Sequence, residues 1–300
     1  MSRTASTLSS LLDSPKLKWV DPVATVFHNA VNSAFGSMPA GAKVKSILNG
    51  TPIRHRLHPA LVQVSLGAWT TSFYLDALSL MAGNDNRKHF EAGSDAAMAL
   101  GIVSSLPSAL SGASDWADVY GKPQRYGMVH ALLNGVALTS YAVSMAARRG
   151  DRRNQTLALT TAGIGFAALS VSASIGGDLV YNLGVNIPRQ PALDPPEDFT
   201  YVLDSDDLSP GDHRRVQAED LPVLLIRNSD GELHALQHWC PHAGAPLSEG
   251  EVDDEAVTCH WHGSKFCVAD GRPLRGPATT PLPAYKVRER DGRIEVGPLA

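Results

Sequence analysis

Cys240-Pro241-His242 and, sixteen residues further on, Cys259-His260-Trp261-His262 gather two sulfur and two imidazole donors into two short segments of a 300-residue chain. Each segment is punctuated like a loop that turns back on itself. Pro241 and Gly244-Ala245-Pro246 mark the first, and Gly263-Ser264 follows the second. Two chemistries suit the donor set. One tetrahedral zinc ion takes two cysteines and two histidines. A pair of bridged irons takes two thiolates on one iron and two imidazoles on the other. The order of the donors weighs between them. The classical finger puts both cysteines in the first pair and both histidines in the second, whereas each pair here is mixed. The mixed pairs and the Gly-Pro punctuation favour the two-iron reading.

The last hundred residues resemble the Rieske ferredoxin-like family. The stretches that carry the resemblance are Cys-Pro-His-Ala-Gly-Ala-Pro-Leu at 240–247, Cys-His-Trp-His-Gly-Ser-Lys-Phe at 259–266 and Asp-Gly-Arg-Pro-Leu-Arg-Gly-Pro-Ala at 270–278. The resemblance implies an all-β Rieske fold with cluster-binding loops. It also implies one [2Fe–2S] cluster per chain, held by Cys240, His242, Cys259 and His262. Ala243, Gly244 and Ala245 leave no cysteine for the loop disulfide of the Rieske proteins of cytochrome bc complexes. The resemblance is therefore to the soluble ferredoxin and oxygenase branch, and implies a potential toward the low end of the Rieske range, about −150 mV or a little above. Ser264 is a candidate second-layer group, whose backbone or hydroxyl would hydrogen-bond the cluster and tune its potential. Cys267, the third cysteine, reads as a small apolar residue on a strand behind the cluster. Residues 195–300 contain nothing resembling the mononuclear iron domain of Rieske oxygenases and no flavin or nicotinamide motif. The chain reads as an electron-transfer component rather than a complete enzyme.

These loops need a scaffold, and the chain offers two unlike halves. A net charge of −4 argues against nucleic acid or another polyanion as partner. Three cysteines are too few for a disulfide framework. Residues 58–184 are rich in Ala, Leu, Val, Ser and Gly, whereas the chain beyond 195 is charged and turn-rich. Residues 59–75, 96–114, 126–147 and 154–177 carry no Asp, Glu, Lys or Arg, and the first apolar pattern runs on past Asp76 to Met81. About 20 such residues cross a hydrocarbon core as a helix, and small residues suit close helix packing in lipid. The expectation is an all-α four-helix transmembrane bundle, with a soluble bundle as the alternative. Residues 49–67, Ser111–Trp116, Gly127–His130 with Asn134, and Gly176–Tyr181 with Gly184 resemble a bacterial four-helix membrane family of unknown function, in that order. That resemblance implies a fold and a membrane location rather than an activity.

The expected division is therefore 1–44, an N-terminal region with an amphipathic helix at 22–36; 45–187, the membrane domain; 188–196, a proline-rich linker; and 197–300, the Rieske domain. No signal peptide is expected at the start. Strands are expected at Val223–Ile226, Leu233–Leu236, Val257–Thr258, Tyr285–Val287 and Ile294–Val296, with hairpin turns at Asn228–Gly231 and Asp291–Gly292.

Ionisable groups within or beside membrane spans are costly and usually face a bundle interior. Asp76, Asp115, His130 and Asp178 are such groups, and His55 and His58 sit just before the first span. Two readings fit. His58 and His130 are axial ligands of a haem b, or they form a hydrogen-bonded polar cluster with Asp115 or Asp178 that fixes helix packing. The polar cluster is the simpler, since no sequence motif marks a haem.

Four spans put both termini on one side. Lys43, Lys45, Arg54, Arg56, Lys122, Arg125 and Arg189 lie on the terminal side, and Arg87, Lys88, Arg148, Arg149, Arg152 and Arg153 on the other, so charge asymmetry does not set the orientation. A folded cluster domain leaves the cytoplasm by the twin-arginine route, and no twin arginine stands at the N-terminus, so the Rieske domain is expected on the cytoplasmic side. The chain reads as a membrane-anchored carrier that exchanges single electrons with a redox protein. The rival reading makes the helical half the functional part, with the Rieske domain as its sensor.

Overall fold

A computed structural model describes residues 7–149, 154–187 and 193–300. Arg152, Arg153, Arg189 and the first five positions of the expected linker lie outside the described residues. Seven α-helices are described, not four: α1 Thr7–Leu12, α2 Val20–Ser37, α3 Gly41–Asn49, α4 Leu57–Met81, α5 Asn84–Trp116, α6 Lys122–Ala147 and α7 Gln155–Gly177. A π-helical turn, Asp178–Asn182, extends α7. Three segments are long and apolar enough to cross a membrane: Asn84–Trp116, Lys122–Ala147 and Gln155–Asn182. The four expected spans coincide with α4–α7, but α4 is not among these three. Its 25 residues suffice in length, whereas Gln63, Ser65, Thr70, Thr71, Ser72, Asp76 and Ser79 dilute its hydropathy.

The chain forms two compact units. The first comprises Met1–Ala34 and Leu57–Val185. Here α4 packs along α5 and α6 along α7, and the two hairpins repeat one another. Adding 72 to a residue number carries α4 onto α6, and adding 64 carries α5 onto α7. His58 thus corresponds to His130, Trp69 to Tyr141 and Asp76 to Arg148. Each hairpin uses the same devices. Trp69 lies against Gly101, and Tyr141 against Gly165. A Cβ at Gly101 would stand 2.3 Å from the Trp69 ring nitrogen, so only glycine allows that approach. The two rings stack on each other, centroids 4.6 Å apart. Farther along, Arg148 Nη1 donates to Asp76 Oδ1 at 2.8 Å and to Asp95 Oδ1 at 3.1 Å. Both Asp76 and Arg148 are buried, and the pairing answers the cost of a carboxylate inside the bundle. The interior is rich in serine, while Leu100, Val103, Leu106, Leu132, Val136, Ile164 and Val171 point outward. This pattern is the reverse of a water-soluble bundle's.

Helix α2 buries Val20, Ala24 and His28. The apolar residues of its expected amphipathic face are largely exposed, Val26 at 71% and Phe27 at 53%.

The second unit joins Phe35–Arg56 to Asn186–Ala300. Its strands are β1 Thr200–Asp204, β2 His213–Ala218, β3 Leu221–Arg227, β4 Leu233–Gln237, β5 Glu251–Val252, β6 Ala256–Thr258, β7 Lys265–Cys267, β8 Pro273–Arg275, β9 Ala284–Arg290 and β10 Arg293–Leu299. Six form an antiparallel sheet in the order β1-β10-β9-β4-β3-β2, and four form a smaller one, β5-β6-β7-β8. Strand β3 is buried on both faces. Leu224 and Ile226 join a core with Leu247, Val257 and Phe266, whereas Val223 and Leu225 join one with Tyr285 and Ile294. All five expected strands are present within β3, β4, β6, β9 and β10, and both expected turns fall between strands. At the second, Asp291 and Gly292 both take positive φ, the geometry that Asp-Gly supplies for a two-residue hairpin. Residues 44 and 45, the expected division, fall inside α3.

Candidate cluster site

Two connections carry the donors. The first runs from β4 to β5, the second from β6 to β7. They are built alike. In the first, Cys240 N–H donates to Ala245 O at 2.9 Å and Gly244 N–H to Cys240 O at 2.8 Å. In the second, Cys259 N–H donates to Ser264 O at 2.8 Å and Gly263 N–H to Cys259 O at 2.9 Å. Each cysteine thus opens a turn closed four and five residues later. The residue four on is a glycine at positive φ, 78° in Gly244 and 71° in Gly263. A side chain there would be strained, which is why the two loops share that residue type.

Both thiols are buried in the core between the sheets and hydrogen-bond each other. That bond holds Cys259 toward the thiolate and pushes Cys240 the other way. The backbone N–H groups of Trp261 and His262 point at the Cys259 sulfur, and those of His242 and Ala243 at the Cys240 sulfur. Such donors favour sulfur that carries negative charge. The His242 and His262 rings lie together, centroids 4.7 Å apart and edge to face. His242 is 9% exposed, His262 is half-buried and Trp261 beside it is 52% exposed. The sulfurs therefore sit deep and the imidazoles nearer the surface.

The donor set fits a two-iron cluster. Sulfurs pair with each other, imidazoles pair with each other, and amides serve the sulfurs. Among the described residues, no three His, Cys, Asp or Glu side chains converge as a single-ion site. One zinc needs such convergence. Two irons with two protein ligands each do not.

Ser264 is fully buried, and its Oγ accepts the Ala278 N–H at 3.0 Å. The Ala278 carbonyl accepts from Thr51 Oγ1 at 3.1 Å, and the Gly276 N–H donates to Ser46 Oγ at 3.0 Å. Residues 41–53 thus hold the loop after β8, which in turn holds Ser264 in the second cluster loop. The sequence reading missed Ser46 and Thr51, because no local pattern ties residue 51 to residue 278. Cys267 lies on β7, beside Asp270.

The helical candidates fall in both units, His55 in the second and the others in the first. His55 is exposed in the second unit, and its Nδ1 donates to the Arg56 carbonyl. His58 Nδ1 reaches Ser108 O at 2.9 Å, and His130 Nδ1 reaches Ser172 O at 2.9 Å. Asn134 Nδ2 lies 3.1 Å from His130 Nε2. Asp115 is buried in α5, and Asp178 accepts from Asn182 Nδ2. The hydrogen bonds of the two helical histidines thus go to carbonyls, to the Ser172 hydroxyl and to an amide.

Comparison with known proteins follows this division. Residues 198–286 match the Rieske [2Fe-2S] domain model, and residues 54–189 match the predicted membrane protein model DUF2231. The ferredoxin component of biphenyl 2,3-dioxygenase from Rhodococcus jostii is 39% identical over 90 residues, which are 30% of this chain and 83% of that protein. Ferredoxin CarAc of Metapseudomonas resinovorans is 33% identical over 95 residues, 32% of this chain and 89% of its own. The solved ferredoxin of carbazole 1,9a-dioxygenase from Nocardioides aromaticivorans is 28% identical, covering 34% of this chain and 99% of that one, with a TM-score of 0.32.

Proposed function

Since the chain belongs to the Rieske [2Fe–2S] family through residues 198–286 and to the DUF2231 predicted membrane proteins through residues 54–189, we propose that it is a membrane-anchored carrier of single electrons. The observation that carries the reading is the pair of matching loops, which bring Cys240 and Cys259 to one side and His242 and His262 to the other. A [2Fe–2S] cluster bound there supplies one reversible electron at a time. The protein's part is to hold and tune it. The thiols of Cys240 and Cys259 bind one iron in a dry core, and four backbone N–H groups offset their negative charge. His242 and His262 bind the other iron nearer the surface, where the ring edges form the electron exit. The Ser264 hydroxyl accepts from Ala278 and keeps its own proton to donate toward the cluster.

The helical unit is the anchor. Three of its segments have the length and composition to span a bilayer, and their outward side chains are apolar. The relatives are ferredoxin components of dioxygenases, which supports a redox protein as partner. The exposed Trp261 ring beside His262 is the natural point of contact. The cytoplasm, where iron–sulfur clusters are assembled, is the side on which we place the Rieske domain. Two C-terminal reporter fusions test the placement, one active only in the cytoplasm and one only after export. Activity of the cytoplasmic reporter alone is expected. Activity of the exported one alone would reverse the orientation.

A further inference from the structure

The internal duplication of the helical unit sets two histidines at corresponding positions, His58 on α4 and His130 on α6. They are prepared in the same way. A backbone carbonyl can only accept, so the contacts with Ser108 O and Ser172 O fix the proton on Nδ1 of both rings. Both Nε2 atoms then carry a lone pair. This is the arrangement in which metal-binding histidines are held: Nδ1–H bound to a carbonyl that fixes tautomer and ring orientation, Nε2 left to the metal. His58 Nε2 has no hydrogen-bond partner among the described residues. Asn134 donates to that of His130. Eleven residues farther along each helix, Trp69 and Tyr141 stack with centroids 4.6 Å apart, so α4 and α6 face each other across the bundle.

The repeat also places a glycine against each ring, four residues after the serine. A Cβ on Gly112 would stand 2.8 Å from His58 Cε1, and one on Gly176 would stand 3.3 Å from His130 Cε1. Side chains are thus absent from α5 and α7 where the imidazoles approach them. Deeper in the bundle the symmetry becomes stacked aromatics and an ion pair, which hold the hairpins together without further ligands.

From this pairing we propose that His58 and His130 are the two axial ligands of one haem b in the helical unit. A lone divalent cation fits poorly, since two imidazoles are too few and no third His, Cys, Asp or Glu converges on them among the described residues. Haem iron takes its four equatorial bonds from the porphyrin and needs only two axial donors, for which neutral imidazole is a standard ligand. A helical bundle core is a usual place for such a group. In the haem-bound state, iron takes the place of the Asn134 amide at His130 Nε2.

The alternative is that the histidines only staple the helices. The two ideas separate on substitution. Gln at position 58 or 130 keeps an amide donor for the serine carbonyl but is not a strong axial ligand. Replacing Asn134 by Val removes the donor to His130, which a purely structural cluster needs and a haem site does not. The full chain is expressed with added haem precursor and purified in detergent. Haem is counted as its pyridine complex, and the spin state is read from the optical spectrum. The cluster signal in electron paramagnetic resonance, read on the same samples, reports folding and tests the Rieske assignment separately.

One low-spin haem per chain is expected in the wild type and in Asn134→Val. His58→Gln and His130→Gln are expected to lose at least nine-tenths of the haem or turn it high-spin, with the cluster signal unchanged. Wild-type protein that shows the cluster signal yet takes up no haem, even when haemin is titrated in, would overturn the proposal. So would haem content that both histidine substitutions leave intact.

Discussion

Ser264→Ala separates what the second cluster loop does for stability from what it does for potential. The Ser264 hydroxyl is buried and accepts the Ala278 N–H at 3.0 Å, and Ala278 is 1% exposed. Alanine leaves that N–H unsatisfied, at a cost of about 1–3 kcal/mol. The same hydroxyl has one proton to donate. A donor aimed at the cluster favours the reduced form, which carries one more negative charge. If that preference is about 1.4 kcal/mol, its loss lowers a one-electron potential by about 59 mV. Thr51→Val breaks the other end of the same chain of contacts, the bond from Thr51 Oγ1 to Ala278 O, while the serine stays in place. It should cost about 1 kcal/mol and leave the potential nearly unchanged. Redox titration followed by visible circular dichroism gives the potential, and urea titration followed by cluster absorbance gives the stability. Equal potentials for Ser264→Ala and the wild type would refute a hydroxyl donating to the cluster. A potential shift as large in Thr51→Val would assign the effect to loop movement instead.

His242 and His262 should make the potential depend on pH on the alkaline side. Iron's charge favours loss of the outer ring proton, more so in the oxidised state. Reduction then takes up a proton, and the potential falls by about 59 mV per pH unit for each proton; a flat profile to strongly alkaline pH would count against imidazole ligation. In the helical unit, Asp76→Leu leaves the Arg148 charge with the half-exposed Asp95 and the hydroxyls of Ser94 and Ser144 and should cost about 3–5 kcal/mol, whereas Asp76→Leu with Arg148→Leu should recover much of it. Thermal scans in detergent read both, and a double substitution worse than the single one would contradict the pairing.

Much of the C-terminal unit is legible in the chain because its signals are local. Val223–Ile226 is an unbroken apolar run, and Asp291-Gly292 calls for a tight hairpin. Strands β1, β2, β5, β7 and β8 are harder. β2 is His-Arg-Arg-Val-Gln-Ala, buried only at Val216 and Ala218, and β7 is three residues inside what reads as a ligand loop. The cluster donors are legible because a metal dictates residue types directly, whereas Ser46 and Thr51 act on the loop after β8 over more than two hundred residues of sequence. The duplication stayed hidden for a related reason. Its two offsets, 72 for α4 to α6 and 64 for α5 to α7, differ because His58 and Ser108 stand 50 residues apart and His130 and Ser172 only 42, the helices of the first hairpin running farther before a shorter turn. No single repeat period exists to be found. Only the shared pattern of His, an aromatic eleven residues on, and Ser-x-x-x-Gly on the next helix would have revealed it. Helices α1 and α3 escaped because short segments acquire helical order from what they pack against rather than from their own pattern, whereas α2 was legible as a helix at 22–36 and only the face it buries was not.

The central claim is that Cys240, His242, Cys259 and His262 hold a two-iron cluster. Electron paramagnetic resonance of the dithionite-reduced full chain, with iron and acid-labile sulfide counted on the same sample, tests it most directly. Two irons, two sulfides and a signal whose average g lies below that of all-cysteine clusters are expected. Stoichiometric zinc with neither iron nor sulfide would contradict it.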